Sequence, residues 1–266
     1  MAIWSDAAEK LKCFFGGVSR ALYPDVCVGC EELLEKHEQV FCMRCEREYA
    51  DATERECARC FRPRSRCLCA RKSLEQAGIS RLVKLYTYRA RSVDLPQNRL
   101  IFALKHHHRN DVRSFLASEL AEAIKAGVPR LDRAVLAFAP RSKQSIKKDG
   151  YDHIHELTEE LSRNLSVPLL NAIGRHSGGK IQKKLTFSER QKNMAGRFFL
   201  ADGVDVKGKS VLLVDDIVTS GATMIEASRV LYGGGAKDVI GVVIAATGRD
   251  ENRKPRRFSV QYRTMK

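Results

Sequence analysis

The chain has no run of about 18 or more apolar residues, so it offers no helix able to cross a membrane. It also lacks G-x-x-x-x-G-K-[ST], which excludes a P-loop as its means of holding phosphate. Acids are in short supply: 32 Asp and Glu stand against 47 Lys and Arg, a formal net charge of +15. That balance favours polyanionic partners, nucleic acid or phosphorylated metabolites, although solubility alone would produce the same sum. The basic residues gather in Arg141–Lys148, Arg175–Arg197 and Arg253–Arg257. A secretory leader is not evident either. Met1–Leu22 places Trp4, Leu11, Phe14, Phe15, Val18 and Leu22 at roughly helical spacing, but Asp6, Glu9 and Lys12 interrupt the pattern. Residues 1–24 therefore read as an amphipathic helix docked on the protein, with a membrane-surface or partner-binding helix as the other reading. The expected compartment is the cytoplasm.

Cysteine, by contrast, is concentrated. Cys27-x-x-Cys30, Cys42-x-x-Cys45, Cys57-x-x-Cys60 and Cys67-x-Cys69 hold eight of the nine cysteines. Close pairs present two thiolates to one metal from a tight turn, and two pairs complete a tetrahedral site. Eight ligands make two structural Zn2+ sites, closed and so without an open catalytic position. A disulfide framework fits less well without a secretory leader. Sequential pairing gives Cys27/Cys30/Cys42/Cys45 and Cys57/Cys60/Cys67/Cys69; a crossed arrangement satisfies the same spacing. Residues 25–72 are the expected zinc-ribbon module, and Cys13 outside it reads as a buried apolar residue.

The most informative stretch is Val211–Thr223, VLLVDDIVTSGAT. Val211–Val214 reads as a strand buried on both faces. Thr219, Ser220, Gly221 and Thr223 form a loop that opens a helix over Ala222–Leu231. Unpaired N–H groups at a helix start, with the positive end of its dipole, make a phosphate seat. Gly221 allows close backbone approach, and the hydroxyls of Thr219, Ser220 and Thr223 add donors. Asp215 and Asp216 would repel phosphate but can accept hydrogen bonds from a sugar diol. The ligand implied is a ribose 5-phosphate.

At these residues the chain resembles the type I phosphoribosyltransferases, whose signature for phosphoribosyl pyrophosphate (PRPP) is acid-acid-x-x-[ST]-[ST]-G-x-T. A cysteine module followed by that signature resembles the ComF family, which joins a double zinc ribbon to a phosphoribosyltransferase domain. Flanking stretches agree. Leu100–Lys105 matches a helix ending Leu-Lys, although His106 stands where tyrosine or phenylalanine is usual. Pro140-Arg141 through Lys147-Lys148-x-Gly150-Tyr151-Asp152 matches a basic, glycine-terminated loop. Arg175, Gln182, Leu185, Arg190, Asn193, Gly196 and Phe198 follow the family's spaced pattern.

The resemblance implies an α/β fold, the type I phosphoribosyltransferase fold with a mainly parallel sheet over residues 78–266. It implies PRPP held with Mg2+ by Asp215, Asp216, Thr219, Ser220, Gly221, Ala222 and Thr223, the two acids being catalytic if transfer occurs. Ligands in open α/β sheets sit beyond the carboxyl ends of strands, so the strand before Pro140 delivers Arg141, Lys143, Lys147 and Lys148 towards a pyrophosphate. Arg175–Asn193, without sustained period, reads as a long loop closing over the site, with Gln182, Lys183, Lys184 and Arg190 as candidates. His106–His108 cannot all face one ion from a helix and read as a polar surface. His153 and His155 fall on the next helix.

Two functions remain open on sequence. One, implied by the resemblance to the ComF family, is a binding protein that assists uptake of transforming DNA, its partners single-stranded DNA and the uptake machinery. The tail Arg253–Arg257 with Phe258 and Tyr262 would supply charge and stacking. The other is a PRPP-dependent transferase of nucleotide metabolism, whose acceptor no residue identifies. Leu82–Arg89 is expected as a hairpin or edge strand, and Phe258–Arg263 as a late strand.

Overall fold

The computed structural model describes residues 25–92, 94–176 and 196–247. The expected N-terminal helix, the loop candidates Gln182, Lys183, Lys184 and Arg190, and the basic tail with its late strand lie outside them.

Four strands form a wholly parallel sheet in the order β1 (Leu82–Tyr88), β6 (Asp238–Thr247), β5 (Ser210–Val218), β2 (Ala134–Phe138). Because every strand runs the same way, all four carboxyl ends open at one rim. Val211–Val214 are fully buried, as their unbroken apolar run requires of a central strand. Each such side chain contributes about 1.5–3 kcal/mol of burial. Leu82–Tyr88 is indeed an edge strand but no hairpin: it pairs parallel to β6 with Leu82 opposite Gly241.

Helices cover both faces. On one, α4 (Asn110–Gly127) sets Val112, Leu116, Leu120 and Ile124 against the sheet at helical spacing, beside Leu157 and Leu161 of α6 (His153–Leu165). On the other, α7 (Ala222–Gly233) lays down Met224, Ala227 and Leu231, flanked by Leu74 of the four-residue α2 (Lys72–Glu75). The helix α3 (Pro96–His106) follows β1, and α5 (Lys143–Asp149) follows β2. Arg175 and Phe198 close the first and open the second strand of a small antiparallel pair, β3 (Ile173–Arg175) and β4 (Phe198–Leu200). The stretch expected as an uninterrupted loop from Arg175 thus begins inside a strand.

The cysteine module, with α1 (Met43–Glu54), shares a core with the sheet. Cys27, Val40, Phe41, Cys45 and Tyr49 are buried in the same cluster as Leu85, Leu116 and Leu212. No helix among the described residues is long and apolar enough to cross a membrane.

Candidate functional site at the carboxyl rim of the sheet

The buried run Val211–Val214 continues as strand through Asp215 and Asp216 to Val218, so both acids belong to β5 and not to the loop after it. Asp216 is gripped from two sides. Lys105 Nζ, in the last turn of α3, lies 2.5 Å from its Oδ2. His153 Nε2, at the first residue of α6, lies 3.3 Å from the same oxygen. The other carboxylate oxygen accepts from the Ile217 N–H at 2.5 Å, and Asp215 Oδ1 accepts from the Asp216 N–H at 2.9 Å.

Neighbouring acids in one poorly solvated place cannot ionise alike. Burial, and then the charge of Asp216, push the Asp215 carboxyl up to about 8. Burial acts on Asp216 in the same direction, but the His153 hydrogen bond and the Lys105 ammonium outweigh it and hold that carboxyl well below the usual range. The pair is therefore divided into one proton-holding acid and one clamped anion.

Beyond Val218 the chain turns through Thr219 and Ser220 into α7. Gly221 caps the helix with φ +82°, a conformation that favours glycine, and a Cβ there would sit 3.0 Å from Leu74 Cδ2. Ser220 Oγ accepts from the Ala222 N–H at 3.3 Å. Thr219, Ser220, Gly221, Ala222 and Thr223 thus sit together at the start of a twelve-residue helix, immediately after the acids.

The basic loop after β2 is more braced than its composition suggests. Arg141 pairs with Asp149 and donates to the Tyr151 carbonyl at 3.1 Å. That pairing holds the Asp149 carboxyl below its ordinary value. Lys143, Lys147 and Lys148 are exposed on α5. Gly150, at φ +82°, ends that helix, and Asp152 caps α6 by accepting from the N–H groups of Ile154 and His155. Tyr151 then donates to the Leu104 carbonyl at 2.6 Å, beside Lys105. Arg141 consequently acts on the rim through Tyr151, while the three lysines face solvent.

Of the three histidines only His106 belongs to α3; His107 caps the helix and His108, at φ +46°, lies beyond it. His106 Nδ1 lies 3.8 Å from Asp149, whereas His108 stacks on Tyr151 with centroids 4.2 Å apart and meets Glu156 at 3.1 Å. His155 packs its ring edgewise on Phe138. Beside Lys105 and Ile217 opens a cavity of 830 Å³, also lined by Tyr88, Asn98, Phe102 and His106.

Lys105 and His153 are the clamp that sequence reasoning failed to place in the site. Their signal was present, since Lys105 closes the Leu-Lys helix motif and His153 follows the Gly-Tyr-Asp turn. Nothing local showed that both point at Asp216. Arg175 donates to the Pro140 carbonyl at 3.1 Å and lies over the Phe198 ring, bracing the root of the basic loop.

The eight cysteines gather as two fours, Cys27/Cys30/Cys42/Cys45 and Cys57/Cys60/Cys67/Cys69, with the sulphurs of each within 4.8 Å of one another. Pairing is thus sequential and not crossed. Cys30 and Cys42 stand 3.6 Å apart, close to the roughly 3.8 Å between sulphurs around a tetrahedral zinc with bonds of about 2.3 Å. The Gly29 and Cys42 N–H groups point at Cys27 Sγ, as thiolate-accepting turns do. Burial and neighbouring sulphurs push the Cys69 thiol up to about 12, whereas in the same cluster burial is outweighed by the N–H groups of Arg59 and Cys60, which hold the Cys57 thiol down at about 6. Both donor sets fit zinc.

Residues 145–263 match the phosphoribosyl transferase domain family. The competence protein ComFC of Streptococcus pneumoniae is 25% identical over 218 residues, 78% of this chain and 88% of that protein. Competence protein F of Haemophilus influenzae is 34% identical over 92 residues, 34% of this chain and 40% of that one. Ribose-phosphate pyrophosphokinase 2 of Archaeoglobus fulgidus is 49% identical over 43 residues, only 16% of either chain. The chain thus spans less than half the length of two of these three relatives.

Proposed function

Two four-cysteine clusters, a phosphoribosyltransferase domain and two competence-protein relatives fit the ComF family, and on that premise we propose that this protein binds PRPP as its magnesium complex. The observation that carries the reading is the continuous run from an acid pair, with Asp216 clamped by Lys105 and His153, to a glycine-capped helix start at the open rim of a parallel sheet. Thr219–Thr223 would take the 5-phosphate on backbone N–H groups and hydroxyls. Asp215 and Asp216 would take the ribose diol, with Lys105 and His153 fixing the orientation of Asp216. Mg2+ keeps most of its ligands from water and substrate phosphates, so one acidic pair suffices. Zn2+ in the two cysteine clusters would be structural.

Within that frame the protein serves DNA uptake, as the names of its two competence relatives suggest, with single-stranded DNA and the uptake machinery as partners. Its formal charge of +15 suits such a ligand. DNA binding that survives Asp215→Asn but falls steeply with salt would support a surface separate from the sugar-phosphate site.

A second reading is phosphoribosyl transfer to an acceptor, favoured by the 830 Å³ cavity adjoining Lys105. Departure of pyrophosphate leaves an oxocarbenium-like centre, and the rim would have to stabilise a leaving polyanion more than activate a nucleophile. Asp216, held anionic, would favour that cation.

Calorimetric titration of Mg-PRPP into the zinc-loaded protein and its Asp215→Asn/Asp216→Asn variant tests the main reading. Binding by the first and loss in the second is the expected result. No binding by the zinc-loaded protein would retire PRPP and leave the DNA-handling reading. Consumption of PRPP only in the presence of one nucleobase or amine would instead establish the transferase.

A further inference from the structure

The chain leaving the second cysteine cluster runs directly under the phosphate loop. Two residues after Cys69, Arg71 donates through one guanidinium nitrogen to the Thr219 carbonyl. Its other nitrogen donates to the Thr247 carbonyl at 2.8 Å and hydroxyl at 3.1 Å. The Thr247 hydroxyl in turn reaches the Thr219 carbonyl at 3.2 Å. One side chain from the cysteine module therefore joins the carboxyl ends of β5 and β6. Three residues later, the buried Leu74 sits against Gly221, and Ser228 and Tyr232 of α7 donate to the carbonyls of Ala77 and Gly78.

The cluster is itself fastened to the sheet. Lys84, buried in β1, donates to the carbonyls of Cys67 and Cys69 at 2.8 and 3.0 Å and lies 3.4 Å from Cys67 Sγ. Arg59 donates to the Ala70 carbonyl at 2.9 Å and pairs with Glu75 at 2.6 Å. A metal holding Cys57, Cys60, Cys67 and Cys69 together would thus hold Arg71 at a defined place.

We propose that Arg71 is a positioning residue for the phosphate loop, through which metal in the second cysteine cluster sets the order of Thr219–Thr223 and hence its affinity for a sugar phosphate. The physical basis is the trans peptide, whose N–H points opposite to its carbonyl. Fixing the Thr219 carbonyl on Arg71 fixes the Ser220 N–H on the other side, before any ligand arrives. A guanidinium suits the task because it bridges two acceptors with rigidly spaced donors, which an ammonium does not. The affinity consequence rests on the PRPP reading; the ordering of the loop does not.

The test measures amide hydrogen exchange across 219–223 and Mg-PRPP affinity in the full-length zinc-loaded protein, Arg71→Ala, Arg71→Lys, Cys60→Ser and the Arg71→Ala/Cys60→Ser double variant. Arg71→Ala should speed exchange in the loop, keep both zinc ions, and weaken Mg-PRPP about tenfold, the size expected for lost charged hydrogen bonds. Arg71→Lys should fall between. If Arg71→Ala sheds zinc, the Arg71→Lys protein at full zinc decides. Cys60→Ser should weaken binding by itself but add nothing to Arg71→Ala, since both cut the same connection. Unchanged loop exchange in Arg71→Ala, or fully additive losses in the double variant, would overturn the proposal. Faster loop exchange in a protein whose unmutated form ignores Mg-PRPP would sink the PRPP reading and leave the latch standing.

Discussion

The two cysteine clusters have the same donors and opposite surroundings. Cys27 and Cys45 of the first lie in the main core, near a set of aromatic rings in which Phe41 and Phe115 are 5.9 Å apart and Tyr49 and Phe115 are 5.4 Å apart. Cys57 and Cys67 of the second are as deeply buried, but belong to neither apolar cluster of the molecule. Charged residues hold that cluster instead: Lys84 beneath it, Arg59 beside it, and Arg71 beyond it. The difference teaches that a structural metal can act in two ways. Metal in the first cluster would stand in for apolar bulk in the core, whereas metal in the second, on the proposal above, would fix a strut between the cysteine module and the carboxyl rim of the sheet.

The sharpest way to break that contrast is to remove one ligand from each cluster. Cys45→Ser leaves three sulphurs in the aromatic core and should cost about 3–5 kcal/mol, as removing one partner of a buried charged set does. A melt lowered by roughly 10 °C, or failure to accumulate soluble protein, is the expected reading. Cys60→Ser, at a half-buried position, should give a smaller drop in the same melt. Equal losses would erase the distinction.

Next in size is Lys84→Met, which keeps the stem and deletes the charge. The carbonyls of Cys67 and Cys69 then lose their donor, at about 1–3 kcal/mol, and release of zinc to a chromophoric chelator should become biphasic, one ion leaving early. Two ions leaving together would mean that Lys84 does not serve the second cluster in particular.

The acid pair provides a pH signature of its own. Asp215 is raised to about 8 in the folded protein, against about 3.9 in an unfolded chain. The native state therefore holds the extra proton between those values, and the stability it brings is complete below about pH 4 and lost as pH rises through about 8. Asp215→Asn removes that slope, so the variant should melt higher than the parent at about pH 9 while gaining less near pH 6. Parallel melting curves across this range would show Asp215 to be ordinary. On the proposed reading, in which the ribose diol donates to ionised Asp215, Mg-PRPP should by the same linkage bind more tightly as pH rises from about 6.5 to 8.5.

The smallest effect belongs to Tyr49→Phe, which deletes only the hydroxyl that donates to Glu119 at 3.1 Å. A loss of about 1 kcal/mol, some 2–4 °C in melting, is expected with unchanged Mg-PRPP affinity.

Legibility in the sequence followed the range of the contacts. Val211–Thr223 announced strand, acids, loop and helix because all are consecutive, and the cysteine pairs announced their sites because each knuckle is local. Pairing between knuckles was left open by spacing and settled by folding. Arg71 and Thr219 are 148 positions apart, and no pattern near either marks the bond. Lys84 was hidden by its own strand, where one lysine in an apolar run reads as a solvent-facing residue and is in fact 4% exposed. Arg141 misled in the other direction, since a basic loop does not reveal that Asp149, eight residues on, already pairs with it.

The position of β1 has a consequence for synthesis. Leu82 pairs with Gly241, so among the described residues the first strand of the sheet to be made waits for the last. At about 5–20 residues per second, its pairing edge stays unmatched on the ribosome for on the order of 10–30 s. An apolar edge exposed that long invites pairing with other nascent chains, and an inward lysine is one of the devices that prevents it. Lys84, made soon after the cysteines whose carbonyls it meets, is an inward lysine of that kind.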